Sequence, residues 1–166
     1  QRDSGAGEPA VCVAVKPVLE RAARMLQPVA RQREVELTCR ADEAAAVRAT
    51  EGDVHQILYN LMENGVKYTA PGGFVHTSVS VEEGRVVIAV SDNGIGIPVE
   101  DMPHIFERFY RVDKARSRQI GGTGLGLSIV GDTVQRRGGE IGVAPREGGG
   151  TVFTVSFPQA EPEVTA

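Results

Sequence analysis

Tryptophan is absent from the sequence, and cysteine occurs only at Cys12 and Cys39. Both cysteines lie in apolar stretches, without C-x-x-C spacing or a nearby His. That favours buried free thiols in a reducing cytosol over a disulfide. No run of about 18 apolar residues occurs, so nothing here reads as a membrane-spanning helix. An excess of basic charge is also missing. Lys and Arg number 18 against 22 Asp and Glu, a net charge of -4, which argues against a protein devoted to nucleic acid. A phosphate-bearing small molecule remains open, because such sites use backbone N–H groups and a few local cations. The start, Gln1 to Gly5, has neither an initiating Met nor an apolar signal region, as expected of a fragment of a longer protein.

What the chain does have is length for one domain core, with 166 residues, and abundant glycine, 20 residues gathered towards its second half. Gathered glycine points to specialised loops rather than low complexity. Residues 1–10 read as linker, and the Pro/Glu-rich segment 159–166 as a flexible tail. Between them the pattern predicts a strand over Val11 to Val15 and a helix opened by Pro17, its apolar side made of Val18, Ala22, Met25, Leu26 and Val29. Val35 to Cys39 alternates as a half-buried strand, with Ala46 to Thr50 as its expected partner. A helix capped by Thr50 or Asp53 runs to about Tyr68 and stops before Pro71-Gly72-Gly73. Strands Phe74 to Val81 and Arg85 to Val90 flank the turn Glu82-Glu83-Gly84. Helices are expected over Met102 to Tyr110 and Leu125 to Arg137. A last hairpin joins Glu140 to Ala144 with Thr151 to Phe157 through Arg146 to Gly150. Alternating helices and strands with two consecutive hairpins predict an α/β (α+β) two-layer sandwich: one mixed, mostly antiparallel sheet with three main helices on one face.

Three segments carry candidate chemistry. On the helix from Glu51 to Tyr68, Val54, Leu58, Leu61 and Met62 share a broad apolar face. Asn60, Asn64 and Lys67 form a separate stripe at i, i+4 and i+7, with Glu63 at its edge. Neutral amide oxygens and a cation so aligned suit a hydrated hard metal ion carrying phosphates; a solvated polar face is an equal reading of this helix alone. Next, Asp92-Asn93-Gly94-Ile95-Gly96-Ile97-Pro98 follows the apolar strand Val86 to Val90. It puts a carboxylate where backbone can approach a ligand closely, able to accept a hydrogen bond from an exocyclic amine, although Asp and Asn also form ordinary turns. Third, Gly121-Gly122-Thr123-Gly124-Leu125-Gly126-Leu127 precedes a helix, the arrangement that offers N–H groups and a helix dipole to phosphates. No Lys-Ser/Thr follows these glycines, so this is not a P-loop, and a dinucleotide fold lacks its preceding strand. The basic stretch Tyr110 to Gln119 before it reads as a lid over a polyphosphate or as a solvated loop.

In order and spacing these segments resemble the ATP-binding catalytic domain of sensor histidine kinases, in the superfamily that holds DNA gyrase, the mismatch-repair ATPase and a heat-shock chaperone. His55 to Tyr68 is similar to the family's N box, Asp92 to Pro98 to its first glycine box, Ile105 to Arg111 to its phenylalanine box, and Gly121 to Leu127 to its second glycine box. Gly148 to Phe153 resembles the terminal glycine-plus-Thr element. The resemblance covers residues 11–158 and implies the Bergerat fold.

It implies further that Asp92 takes the adenine amine with a water near Thr151, and that Gly94, Gly96 and Ile97 line the base pocket. Asn64 is the expected Mg²⁺ ligand, Asn60 and Lys67 approach the phosphates of ATP, and Tyr68 lies along the nucleotide. Tyr110, Arg111, Arg116 and Arg118 belong to the lid, while Gly122, Thr123, Gly124, Leu125, Gly126 and Leu127 serve the phosphate chain. The implied reaction transfers the γ-phosphoryl group to a histidine, with Lys67 and the lid arginines neutralising charge. His55, His76 and His104 lack the acceptor's sequence setting, so the acceptor belongs to a separate histidine-bearing dimerisation domain, with a response regulator receiver downstream. The resemblance also implies a cytoplasmic domain, membrane-attached only through other parts of a parent; the fragment itself is expected to be a monomer. The rival chemistries are an ATPase in which Glu63 activates water, an anti-sigma serine kinase, and a non-catalytic nucleotide-binding module. Gly65, where the N box often has Ala, is expected to leave binding intact despite a helix cost of about 1 kcal/mol.

Overall fold

The computed structural model describes residues 9–108, 110 and 126–161. In chain order its elements are β1 (Val11–Ala14), α1 (Val15–Gln32), β2 (Glu36–Ala41), β3 (Ala46–Ala49), α2 (Glu51–Lys67), β4 (Phe74–Glu82), β5 (Arg85–Asp92), a 3₁₀ helix (Val99–His104), α3 (Gly126–Arg136), β6 (Glu140–Pro145) and β7 (Thr151–Pro158). Five strands form one sheet in the order β2-β4-β5-β7-β6. The β2–β4 pair is parallel and the other three are antiparallel. The three helices lie side by side, α2 in the middle over β4 and β5, α1 towards β2 and α3 towards β6. The mixed two-layer sandwich is therefore as the sequence predicts.

Alternation decides which face is covered. Val75 and Val79 of β4, Val86, Ile88 and Val90 of β5, and Phe153, Val155 and Phe157 of β7 are buried among helix residues. Their neighbours Ser78, Ser80, Ser91 and Thr154 lie on the opposite, more open side. The β4–β5 connection needs left-handed backbone at two successive residues, and Glu83 (φ 52°) and Gly84 (φ 78°) supply it. This is the twist that a two-residue hairpin requires.

Five expectations are corrected. Strand β3 does not pair with β2; it pairs antiparallel with β1, Val11 opposite Ala49, in a separate two-stranded ribbon. β2 instead joins β4 in parallel, a pairing that α2 makes possible as the crossover. Helix α1 starts at Val15, with Pro17 inside its first turn. Its buried stripe is Val15, Val18, Leu19, Ala22, Leu26 and Ala30, which leaves Met25 and Val29 on the flank at 55% and 41% exposure. Met102 to Tyr110 is not an α-helix. The 3₁₀ helix ends at His104, and Pro103 withholds one of the N–H groups that an α-helix would use. Finally, the tail does not become loose at Gln159. Its N–H bonds Gly84 O, its side chain bridges Ala46 N and Ala44 O, and Ala160 N bonds Ala46 O. The bonds to Ala44 and Ala46 stitch the ribbon and the turn before it to the end of β7, and the bond to Gly84 ties that end to the β4–β5 turn. Cys12 and Cys39 are free thiols, half-buried rather than buried. Burial, and secondarily the charge of Glu20, raises the pKa of the Cys39 thiol.

A candidate nucleotide site between the central helix and the sheet

Helix α2 is set by its ends. Thr50 caps it from an extended conformation (φ -106°, ψ 159°), its hydroxyl accepting from Asp53 N at 3.0 Å. The acidic side chains of Glu51 and Asp53 sit in the first turn, where the helix dipole favours them. At the other end the Arg33 guanidinium donates to the carbonyls of Val66 (3.3 Å) and Lys67 (2.8 Å), partners that the last turn lacks within the helix. Val54, Ile57, Leu58, Leu61, Met62 and Val66 face the core. Asn60, Glu63, Asn64, Lys67 and Tyr68 remain half-buried on the flank, one continuous polar edge.

Asp92 is the carboxylate that the sheet brings next to this edge. It is the last residue of β5, 5% exposed, opposite Thr151 of β7. Its Oδ1 accepts from Gly94 N at 2.9 Å. Burial raises its pKa, while the N–H groups of Gly94 and Thr151 and the charge of Arg146 pull the other way. Arg146 itself lies over the Phe74 ring, 4.9 Å from its centroid. The carboxylate is thus an acceptor removed from water and ready for a donor that a ligand brings.

Glycines let the walls come this close. A Cβ on Gly65 would stand 3.0 and 3.2 Å from the two methyls of Val75 and 3.7 Å from Asp92 Oδ2. Gly65 therefore lets α2 lie against β4 beside the carboxylate. A Cβ on Gly94 would fall 2.3 Å from Tyr68 O, 2.9 Å from Thr69 Oγ1 and 3.0 Å from Asp92 Oδ1. Ile95 N bonds the same Tyr68 carbonyl at 3.1 Å, lacing the loop after β5 to the end of α2. Gly96 (φ 78°) turns this loop back. Ile97 packs on the core, whereas Ile95 is 53% exposed. Asn93 braces the loop from within, its Oδ1 accepting from Phe74 N at 2.8 Å.

The site residues expected from the sequence converge in part. Asn60, Asn64, Lys67, Tyr68, Asp92, Gly94, Gly96, Ile97 and Thr151 come from α2 and the residue after it, the end of β5 and the loop that follows, and the start of β7, and Glu63 lies on the same helix edge. Gly126 opens α3, and a Cβ there would lie 3.9 Å from Asn60 Oδ1, so the helix start meets the Asn stripe. Leu127 packs on the core. Tyr110 has its hydroxyl engaged elsewhere: it donates to Asp101, and its ring stacks on His104 with centroids 5.4 Å apart. That hydrogen bond is the first cause of its raised pKa. Arg111, Arg116, Arg118, Gly122, Thr123, Gly124 and Leu125 lie outside the described residues. The histidines have their own partners: His55 stacks on Tyr59, His76 Nδ1 meets Thr38 Oγ1 at 2.7 Å, and His104 meets Glu107 at 2.9 Å.

Nothing in the sequence singles out Thr69. It is 4% exposed, and its hydroxyl has no hydrogen-bond partner among the described residues. Its place beside Gly94 and Asp92 makes it a further buried polar atom suited to a polar ligand or a water in this cleft. A buried acceptor, an orphaned hydroxyl and a cradle that a Cβ would fill fit a flat, amine-bearing base. The Asn–Lys edge and the start of α3 fit its phosphates. Among the described residues, no cluster of three or more His, Cys, Asp or Glu could hold a metal ion.

Comparison with known proteins agrees with this geometry. A family profile described as histidine kinase-, DNA gyrase B-, and HSP90-like ATPase matches residues 49–161. The sensor histidine kinase WalK of Bacillus subtilis strain 168 is 45% identical over 122 residues, 72% of this chain and 20% of that protein. The sensor-like histidine kinase SenX3 of Mycolicibacterium smegmatis is 40% identical over 126 residues, 76% of this chain and 33% of its own. The chain thus spans a fifth to a third of the length of these relatives. Among solved structures, full-length ShkA in complex with AMPPNP superposes with a TM-score of 0.80 at 31% identity, covering 96% of this chain and 33% of that one. The mycobacterial sensor histidine kinase MprB gives 0.77 at 26% identity over 93% of this chain and 99% of that one.

Proposed function

This chain belongs to the histidine kinase-, DNA gyrase B- and HSP90-like ATPase family, and from that premise we propose that it binds Mg·ATP and donates the γ-phosphoryl group to a histidine on a separate domain of its parent kinase. The observation that carries the reading is the Asp92 carboxylate, buried between two glycines whose missing side chains leave it room, at one end of the Asn60–Asn64–Lys67 edge. The AMPPNP bound to the ShkA relative supports an adenine nucleotide as the ligand.

In this reading Asp92 accepts from the exocyclic amine of adenine, and Thr69 and Thr151 share a water beside it. The amide oxygen of Asn64 is the protein's ligand to Mg²⁺, which would supply charge neutralisation on the phosphates. Asn60 donates to phosphate oxygens, Lys67 adds a cation, and the N–H groups at the start of α3 offer donors along the helix dipole. A basic segment with Arg111, Arg116 and Arg118, and the glycines Gly122 and Gly124 with Thr123 and Leu125, complete the phosphate contacts. An imidazole nitrogen attacks the γ-phosphorus, the P–N bond forms as the bond to the β–γ bridging oxygen breaks, and ADP leaves. The protein's share is positioning and charge, since this transfer needs little covalent help.

The acceptor histidine sits on a dimerisation domain of the same parent, and a response regulator receiver takes the phosphoryl group next. This is the cytoplasmic portion of that parent; among the described residues no helix is long and apolar enough to cross a membrane. Glu63, half-buried one residue before Asn64, carries the competing reading, in which a carboxylate activates water for hydrolysis. Steady-state hydrolysis by the isolated chain separates the two. Slow turnover, insensitive to Glu63→Gln, is expected; fast turnover abolished by that substitution would make the chain a hydrolase.

A further inference from the structure

Helices α2 and α3 run antiparallel, and three contacts occur in order along their shared seam. Asp53 meets two arginines at the far end of α3: Arg137 Nε donates to Oδ2 at 2.6 Å and Arg136 Nη2 to Oδ1 at 3.2 Å. One turn further, the Thr133 hydroxyl donates to Gln56 Oε1 at 2.9 Å. At the other end of the seam, Gly126 abuts Asn60 Oδ1. Residues 53, 56 and 60 lie on one face of α2, and 137, 133 and 126 recede along one face of α3. The Asp53 side chain is 8% exposed and that of Arg137 is 10%, so the ion pair is largely shielded from water. Gly138 (φ 80°) and the bond from Gly139 N to Val134 O end the helix in a tight turn, fixing where Arg137 emerges.

Apolar packing alone leaves the axial position of a helix weakly defined, because burial is non-directional. Val130 and Val134 are buried in the core, and their burial does not by itself fix where along α2 they sit. A shielded carboxylate with donors on both oxygens tolerates no slide along the axis, since it would be left without partners. A polar contact fixing register is the best-attested use of such buried groups. We infer that Asp53 with Arg136 and Arg137, and Gln56 with Thr133, are positioning residues that set the register of α3 against α2 and so hold the start of α3 at Asn60. The inference rests on the reading above, in which Asn60 and the start of α3 meet the phosphates. No ligand touches these residues; they act on the site by fixing a helix end.

In that reading base and phosphates sit at different ends of the site, so losses of the two can be told apart. Wild type, Asp53→Asn and Thr133→Val are titrated with Mg·ATP by calorimetry and with adenosine by NMR shift changes, and each is melted. Both substitutions keep side-chain shape, and Thr133→Val removes a single hydroxyl, so at least one variant folds. The expected result is a fall in Mg·ATP affinity of roughly threefold to thirtyfold, larger for Asp53→Asn, with adenosine affinity within about twofold of wild type. Equal losses for ATP and adenosine, tracking a drop in melting temperature, would show a merely structural role and overturn the inference. Unchanged Mg·ATP affinity in both variants would overturn it too. A wild type that binds Mg·ATP no better than adenosine would instead overturn the phosphate reading on which it rests.

Discussion

Replacing Asp92 by Asn changes one charge and almost no volume, and it should move binding and stability in opposite directions. Asp92 is 5% exposed, and its carboxylate accepts a Gly94 N–H at 2.9 Å. A ligand amine donating to it makes a hydrogen bond to a desolvated charge, worth about 1.5–3 kcal/mol. Losing that bond should weaken Mg·ATP by roughly tenfold to 150-fold. Stability goes the other way. Burial raises the pKa of Asp92 above its ordinary value of 3.8, so the folded, ligand-free protein binds this proton more tightly than the unfolded chain. The stability it contributes is present below 3.8 and is lost as the pH rises through the folded value. At neutral pH the ionised carboxylate is a liability, and Asp92→Asn should melt higher than wild type without nucleotide. The advantage should shrink as the pH falls towards the unfolded value. Calorimetry at pH 7 and melting curves across the acid range measure both halves. Unaltered affinity for Mg·ATP would refute the pocket, and a lower neutral-pH melting temperature in the variant would refute the burial argument.

Asn64→Ala should bind ATP nearly equally with and without Mg²⁺, whereas wild type should prefer Mg·ATP; titrations in Mg²⁺ and in EDTA decide this. Gly94→Ala drives a methyl to within 2.3 Å of Tyr68 O. It should cost about 1–3 kcal/mol of stability and nucleotide affinity with it, measured by urea unfolding and calorimetry. Gly150→Ala meets both a φ of 105° and a Cβ only 1.9 Å from Asp92 O. The melting temperature should fall by several degrees, at roughly 2–4 °C per kcal/mol for a chain of this size; an unchanged melting curve would mean that β5 and β7 do not approach as described.

Several features of the site are legible in the sequence because each depends on near neighbours along the chain. The Asn60–Asn64–Lys67 edge follows from helical period alone, and the carboxylate of Asp92 is marked by the apolar strand before it and the glycines after it. The turns at Glu82 to Gly84 and Arg146 to Gly150 announce themselves through glycine. What escapes is set by distant residues. Nothing in Ala46 to Ala49 says that its partner is Val11 to Ala14 rather than the nearer Glu36 to Ala41, because so short a segment of mostly small apolar residues fits either edge. Thr69 becomes notable only with Gly94 packed against it. The arginines that cap and clamp α2 resemble any solvated arginine until Arg33 is seen on the Val66 and Lys67 carbonyls and Arg137 on Asp53. Gln159 reads as tail because it lies past the last strand, yet its amide spans Ala46 of a ribbon whose pairing is equally hidden and Ala44 just before it.

The most direct test mixes this chain with histidine-bearing dimerisation domains and ATP labelled at the γ-phosphate. Acid-labile, base-stable label is predicted on the partner's histidine, dependent on Mg²⁺ and lost in Asp92→Asn and Asn64→Ala. Label appearing on this chain's own His55, His76 or His104, or release of free phosphate with no labelled partner, would contradict the transfer proposed for this site.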